Sequence, residues 1–250
     1  MKHKFEDIEV KQNAPQLLEA TLKRKRKKCM IGTGAMCDPY MHCEEKLGLT
    51  RKCLEIIDMY GYGLTILTKS DRSLRDLDLL KSINSKTKCV FQMTLTTFDE
   101  HLCGIIEPNV CTTKKRVEVL KIMRDNGIPT IVWLTPILPF INDNEENLRG
   151  ILKYCFDAGV KGVLCFNIGT TMRDGDREYF YKALDKNFPG VKQKYIKRYG
   201  QSYECLSDNN YNLMNIFRTE CIRKGLMHSV SEIFEYLNNF PGENSQMSLF

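Results

Sequence analysis

The stretch Leu64-Thr-Ile-Leu67 is the segment from which the fold of this chain is predicted. It is a short apolar run that follows two glycines, Gly61 and Gly63, and ends at the polar residues Thr68-Lys-Ser70. Residues 43–60, directly before it, carry apolar side chains at helical spacing. A helix, a glycine break and a short apolar run bounded by polar residues indicate a helix followed by a buried strand.

The same unit recurs along the chain. We predict five buried strands, at 29–33, 64–67, 89–95, 128–134 and 163–168. Helices are predicted around them at 13–25, 43–60, 74–83, 113–125, 145–158, 174–187, 210–224 and 230–238. Short strands that alternate with helices of this length indicate βαβ units and a parallel sheet that is buried on both faces.

The predicted fold class is therefore α/β, a partial or closed (β/α) barrel with a C-terminal helical extension, and a doubly wound sheet is the alternative. A barrel requires one more strand before residue 13, which the mostly polar residues there supply poorly, so we expect the first strand to be missing. We expect a barrel core at 1–190, a basic and aromatic segment with helices at 191–240, and a flexible tail at 241–250. The tyrosines of the second part either pack between helices or form a stacking surface.

Composition indicates a globular protein, because 250 residues with 42% hydrophobic and 27% charged residues can bury a sizeable core. The net charge of +6 equals the charge of a single run at 23–28, Lys-Arg-Lys-Arg-Lys-Lys. No stretch is long and apolar enough to cross a membrane, and no secretory signal is evident. We therefore expect a cytoplasmic protein with reduced thiols and without a membrane partner.

The cysteines and histidines do not form a recognisable metal or nucleophile motif. None of the eleven cysteines has the two-residue gap that is typical of zinc or iron–sulfur ligands. Cys89, Cys155 and Cys165 lie in apolar runs and are predicted to be small buried hydrophobic residues. The histidines lie away from the predicted strand ends, and His42, the one nearest to them, is expected at the surface.

Small and hydroxyl-bearing residues follow every predicted strand, at the end where parallel β/α folds bind ligands. Lys69 is the cation of this set and Asp38 its early carboxylate. A lysine flanked by hydroxyls directly after a buried strand is suited to a carboxylate or a phosphate. Turn and helix-cap chemistry explains the same residues individually.

Several of these segments, taken in order, form a pattern. They are Gly32-Thr-Gly-Ala-Met-Cys-Asp-Pro-Tyr40, Glu44, Leu49-Thr-Arg51, Thr68-Lys-Ser70, Arg75-Asp-Leu-Asp78, Thr94-Leu-Thr-Thr97, Glu107-Pro108, Arg116 and Thr135-Pro-Ile137. This pattern resembles the spore photoproduct lyase-like branch of the radical S-adenosylmethionine superfamily. The resemblance implies a partial β/α barrel with S-adenosylmethionine and a [4Fe–4S] cluster at its mouth. In that family the reduced cluster cleaves the sulfonium to a 5′-deoxyadenosyl radical, which abstracts hydrogen from a substrate.

The resemblance also implies site residues. It places Gly32, Thr33 and Gly34 against the amino group of the methionine moiety. Lys69 and Thr94 fall where the family has a lysine and a serine that reach the cofactor. Asp38, Tyr40 and Glu44 match the family's Asp-Pro-Tyr segment, whose position at the mouth implies a substrate or cofactor role.

One part of the family pattern is absent. The family's three cluster cysteines, in a Cys-x-x-x-Cys-x-x-Cys loop after the first strand, have no counterpart in this sequence, which begins at about the point beyond them. None of the cysteines reproduces that spacing. We therefore predict that this chain does not assemble the cluster by itself and is either a fragment or a degenerate form of such an enzyme.

Two further features suggest partners. Gln246-Met-Ser-Leu-Phe250 resembles the pentapeptide by which bacterial DNA-repair proteins bind the sliding clamp, with Leu249 and Phe250 as anchors and Gln246 as the polar contact. The basic run at 23–28 could bind nucleic acid or form a solvated helix end. The alternative function is accordingly a non-catalytic β/α-barrel scaffold that binds a partner protein or nucleic acid.

Overall fold

A parallel sheet of five strands forms the centre of the protein. A computed structural model describes residues 8–173 and 175–241. The strands are β1 (Met30–Thr33), β2 (Gly63–Thr68), β3 (Cys89–Thr94), β4 (Thr130–Trp133) and β5 (Gly162–Leu164), and they lie side by side in chain order. A doubly wound sheet reverses its strand order at a switch point. The sequential order therefore confirms the partial β/α barrel over that alternative.

Helices connect and follow these strands. They are α1 (Ala14–Arg24), α2 (Glu44–Leu47), α3 (Leu49–Tyr60), α4 (Leu77–Lys86), α5 (Glu100–Ile106), α6 (Thr113–Asp125), α7 (Glu145–Ala158), α8 (Asp176–Asn187), α9 (Val191–Tyr199), α10 (Asn210–Lys224) and α11 (Val230–Asn238). A 3-10 turn, Asp71–Asp76, precedes α4, and β6 (Gly169–Thr171) pairs antiparallel with β7 (Glu204–Leu206). Across the part of the chain that is described, no helix has the length and apolar character needed to span a membrane.

The two faces of the sheet are covered by different parts of the chain. Successive residues of a strand point to opposite faces, and Phe91 belongs to the main core together with residues of α3, α4, α6, α7 and α10. Its neighbour Val90 packs instead with Ile233 and Leu237 of α11. The connecting helices thus lie on one face, as in a barrel, while the C-terminal helix lies on the other.

Most predicted elements are found with bounds within two residues of those predicted, and three differ. The predicted helix at 43–60 is broken at Gly48, which has a φ of 60°, and the one at 74–83 begins as the 3-10 turn. The fifth strand, predicted at 163–168, ends at Leu164, because the chain then turns to pair Gly169 with Leu206.

The cysteines that were predicted to be core residues are buried in the structure. Cys89, Cys155 and Cys165 are buried, which confirms their prediction as small core residues, and burial raises the pKa of the Cys165 thiol to about 12. Tyr195 is also buried and packs edge-to-face on Phe140, so the packing alternative holds for this tyrosine. The prediction that the first strand of the barrel is missing concerns residues before 13, which lie partly outside the described residues, so it stays a prediction.

Candidate functional site

Asp38 ties the loop after β1 to the end of β2. Its Oδ1 accepts hydrogen bonds from the Tyr40 backbone N–H at 2.9 Å and from Thr68 Oγ1 at 2.7 Å, and its Oδ2 accepts one from the Lys69 backbone N–H at 2.8 Å. Both carboxylate oxygens are therefore used by protein donors. In this arrangement Asp38 organises the strand ends where parallel β/α folds bind ligands.

The glycine segment implied by the resemblance lies beside this loop. Gly32 and Thr33 are exposed at the end of β1. Gly34 has a φ of 100°, and a Cβ at this position would lie 1.9 Å from the Leu67 carbonyl oxygen. Only glycine permits such a close approach of two backbones with this φ. Gly34 thus has a structural requirement that is independent of any ligand.

Lys69 lies directly after β2, and its side chain is only 31% exposed. Its Nζ donates to Glu107 Oε1 at 2.5 Å. The other oxygen of Glu107, Oε2, accepts from Thr96 Oγ1 at 2.8 Å and from Arg116 Nη1 at 2.8 Å. We call Lys69, Glu107 and Arg116 the Lys69 cluster. It places an ammonium group at the carboxyl ends of β2 and β3.

Arg116 is fully buried, at 0% exposure. Its Nε donates to the Cys111 carbonyl at 2.8 Å, and its Nη1 donates to the Thr94 carbonyl at 3.1 Å as well as to Glu107. Burial acts to raise the pKa of Glu107, but the charges of Lys69 and Arg116 outweigh it and hold that pKa below its ordinary value. Glu107 is therefore an anion held between two cations.

Thr94 lies at the end of β3, where the resemblance puts a cofactor contact. It is buried, and its carbonyl is one of the acceptors that hold Arg116. The structure therefore brings Asp38, Lys69 and Thr94 into one connected region through Glu107 and Arg116.

A second group of ion pairs lies nearby, and we call it the loop-anchoring network. Asp76 is completely buried and accepts from Arg51 at 2.9 Å and from Arg75 at 2.8 Å. Glu44 accepts from the backbone N–H groups of Leu49 and Thr50, each at 3.0 Å. The network consists of Glu44, Arg51, Arg75, Asp76 and Asp78. It fixes the start of α3 against the 3-10 turn after β2.

Tyr40 belongs with this network. Its side chain is buried, and the Arg75 guanidinium lies 5.9 Å from its ring centroid. Burial and the nearby Asp76 carboxylate raise the pKa of the Tyr40 hydroxyl. The hydroxyl therefore stays protonated at neutral pH.

A cavity of about 450 Å³ opens next to these residues. Asp38, Tyr40, His42, Ser70 and Arg72 are among its lining residues. His42 is exposed, as expected, and its Nδ1 lies 2.9 Å from Arg72 Nη2. The cavity is large enough for a small-molecule ligand beside the ends of β1 and β2.

The two groups that the resemblance implies fit these residues differently. The partly exposed ammonium of Lys69 fits a ligand that carries a carboxylate, as the methionine moiety of S-adenosylmethionine does. Within residues 8–173 and 175–241, no group of three or more His, Cys, Asp or Glu side chains could hold a metal ion. The Lys69 ammonium is therefore suited to the carboxylate of S-adenosylmethionine, whereas the described residues offer no set of ligands for a [4Fe–4S] cluster.

Sequence reasoning missed the role of Glu107 and Arg116. Both were part of the pattern, but Glu107 follows the unpredicted helix α5, and Arg116 is on an α6 of ordinary helical periodicity. Arginine is almost never fully buried without a partner, yet the sequence does not show which arginine is buried. The clamp-like residues Gln246, Leu249 and Phe250 lie outside the described residues.

Comparison with solved structures identifies the fold. Spore photoproduct lyase, in complex with dinucleoside spore photoproduct, superimposes with a TM-score of 0.60 at 12% identity, over 86% of this chain and 65% of that one. A variant of the same lyase gives a TM-score of 0.61 at 13% identity, over 88% of this chain and 67% of that one. The chain thus shares the partial β/α-barrel fold of spore photoproduct lyase.

Relatives by sequence come from distant organisms and carry no assigned function. A protein of Methanocaldococcus jannaschii is 36% identical over 138 residues, which are 55% of this chain and 50% of that protein. A Mycobacterium tuberculosis protein is 27% identical over 195 residues, 77% of this chain and 56% of that protein. The chain spans about half the length of the curated relatives it matches. No family model matches the chain.

Proposed function

We propose that this chain binds S-adenosylmethionine at the carboxyl ends of β1 to β3, as part of a radical S-adenosylmethionine protein of the spore photoproduct lyase type. The observation that carries the proposal is Lys69, whose ammonium is fixed at the strand ends of a fold shared with that lyase. Lys69 binds the ligand's carboxylate, and Thr94 and the segment Gly32 to Gly34 line the remainder.

The binding step is tested by titration calorimetry of the 250-residue chain with S-adenosylmethionine. We expect saturable binding that Lys69→Met weakens about tenfold or more, because a partly buried charge pair is lost. Lys115→Met is the matched control, since this lysine lies on α6 and pairs with Glu118 on the helix surface. Absence of binding by the unaltered chain contradicts the proposal.

Cluster assembly is tested separately by anaerobic reconstitution with iron and sulfide. We expect the unaltered 250-residue chain not to acquire a visible band that bleaches on reduction, because its described residues offer no cluster of ligands. A chain that binds about four irons and four sulfides contradicts this expectation. Its ligands then have to be sought among all eleven cysteines.

A link to DNA repair follows from two features. The first is the fold shared with a lyase whose structure was solved in complex with a dinucleoside photoproduct. The second is the clamp-like end of the chain, and we expect Gln246, Leu249 and Phe250 to bind the bacterial sliding clamp. Capture of purified clamp by the chain, and its loss in Phe250→Ala, is the expected result. Clamp binding that survives this change removes the docking role of Phe250.

The second candidate function is a non-catalytic scaffold that binds nucleic acid. The exposed basic run at 23–28 favours it, because Lys25, Arg26 and Lys27 have no ion-pair partner among the described residues. When a protein binds nucleic acid through phosphates, the logarithm of the binding constant falls linearly with the logarithm of the salt concentration. A chain that binds single-stranded DNA through this run, but not S-adenosylmethionine, supports the scaffold instead.

A further inference from the structure

The charges of the Lys69 cluster have very different access to solvent. The Arg116 side chain is 0% exposed, that of Glu107 is 8% exposed and that of Lys69 is 31% exposed. A buried carboxylate between two cations can neutralise only one of them. The arrangement therefore raises the question of which cation Glu107 neutralises and which remains available to a ligand.

The hydrogen bonds of Arg116 show that this cation is not available to a ligand. Its Nε and Nη1 donate to the carbonyls of Cys111 and Thr94 and to Glu107 Oε2, and its Nη2 lies 3.9 Å from Cys103 Sγ. The guanidinium is thus surrounded by protein acceptors and cannot reach a ligand. Its charge is permanently opposed to that of Glu107.

The ammonium group of Lys69, by contrast, keeps hydrogen-bond donors for a ligand. An ammonium has three N–H donors, and Glu107 Oε1 accepts one of them at 2.5 Å. The neighbouring carboxylate of Asp38 accepts three hydrogen bonds from the protein, and one of them comes from the backbone N–H of Lys69. The side chain of Lys69 therefore keeps donors for a further anionic group.

We propose that Arg116 is a positioning residue that neutralises Glu107 from within the protein, and so keeps the ammonium charge of Lys69 available to the carboxylate of the ligand. This inference rests on the proposed binding of S-adenosylmethionine. Without Arg116, Lys69 alone neutralises the charge of Glu107, and the carboxylate of the ligand is repelled. Without Glu107, both cations act on the ligand. The affinity for a carboxylate thus depends on the balance of all three side chains.

The test compares S-adenosylmethionine with its decarboxylated analogue by titration calorimetry. The readout is the ratio of their dissociation constants, which reports the carboxylate alone, since the rest of the ligand is shared. Removal of one unit charge from a partly buried site should change this ratio about tenfold. Arg116→Met should lower the preference for the carboxylate about tenfold, and Glu107→Gln should raise it about tenfold.

The double variant, Glu107→Gln with Arg116→Met, distinguishes charge balance from simple damage. It removes both members of a buried pair together, which is often close to neutral for stability. We expect its preference to return to within about threefold of the unaltered chain. Arg149→Met is the control for loss of an arginine, because Arg149 pairs with Glu145 and Glu220 on the outer helices.

The outcomes separate the proposed function from the role of Arg116. If the unaltered chain binds neither ligand, the proposed function fails. The role of Arg116 is overturned in two cases, each with an unaltered chain that prefers the ligand with the carboxylate. In the first, all variants keep the same ratio of dissociation constants. In the second, the preference of the double variant is as low as that of Arg116→Met. If Arg116→Met alone does not fold, the comparison of Glu107→Gln with the double variant still decides, because the inference requires the second change to reverse the first.

Discussion

The loop-anchoring network and the Lys69 cluster both lie near the carboxyl end of β2, and both are built from carboxylates and basic side chains. In the network, Glu44, Asp76 and Asp78 outnumber the two arginines, and the most buried member is an acid, Asp76. In the Lys69 cluster two cations outnumber Glu107, and the most buried member is Arg116.

This difference separates structure from binding. The acids of the network accept hydrogen bonds from neighbouring arginines and from backbone N–H groups, so its charges are used up within the protein. The Lys69 cluster leaves a partly exposed ammonium at the strand ends. Matching motif residues therefore do not all have ligand roles, because many of them hold the loops that surround the site.

The largest expected effect tests the network. Asp76→Ala should lower the free energy of unfolding by about 3 to 5 kcal/mol, because it leaves two arginines without their buried carboxylate. Urea unfolding measures the change. Asp78→Ala is the matched control, since its 60% exposed side chain also pairs with Arg51, and it should cost no more than about 1 kcal/mol. Equal losses of unfolding free energy in the two variants would mean that burial does not determine how much each carboxylate contributes to stability.

The next effect concerns Gly34, which lies among the implied cofactor residues but is constrained by backbone contact. Gly34→Ala should cost about 2 to 3 kcal/mol in unfolding free energy, since its new Cβ would meet the Leu67 backbone and its φ is unfavourable. Gly48→Ala is the control, because its φ is also positive but no atom lies within 4 Å; it should cost about 1 kcal/mol. A Gly34→Ala chain of unchanged stability contradicts the close approach.

A smaller change in stability with a clear change in binding is expected for Lys69→Met. Glu107 keeps its bond to Arg116 in this variant, so urea unfolding should show a loss of only about 1 kcal/mol. The preference for S-adenosylmethionine over its decarboxylated analogue should fall about tenfold. A variant that unfolds easily but retains the preference would place Lys69 with the structural residues instead.

The smallest effect is the pH dependence of Glu107. Its pKa in the folded protein is below the ordinary value of 4.5, so its ionised form stabilises the fold above about pH 4.5, and this stabilisation is lost as pH falls through the lower folded pKa. The amount by which the unfolding free energy of the unaltered chain exceeds that of Glu107→Gln should therefore decrease as the pH is lowered from about 6 to about 3. A difference that is constant with pH indicates that Glu107 is not held as an anion.

Much of the fold was predictable because its helices and strands have local causes. The apolar periodicity gave α6, α7, α10 and α11 within their observed bounds. The short pair β6 and β7 was missed, since each strand has three residues and is defined by a partner more than 30 positions away. The seven-residue helix α5 was missed for the related reason that so short a helix carries little periodicity.

The sequence by itself determined the order of strands and helices, the core cysteines and the polar residues after each strand, because apolar spacing and turn chemistry act over a few neighbouring residues. Only the tertiary structure decided that the strands lie in chain order, that α11 covers the second face and that Arg116 is buried against Glu107. Burial and charge pairing depend on residues that are distant in sequence. The same physical reason separates Lys69, which keeps hydrogen-bond donors for a ligand, from the arginines that hold the loops in place.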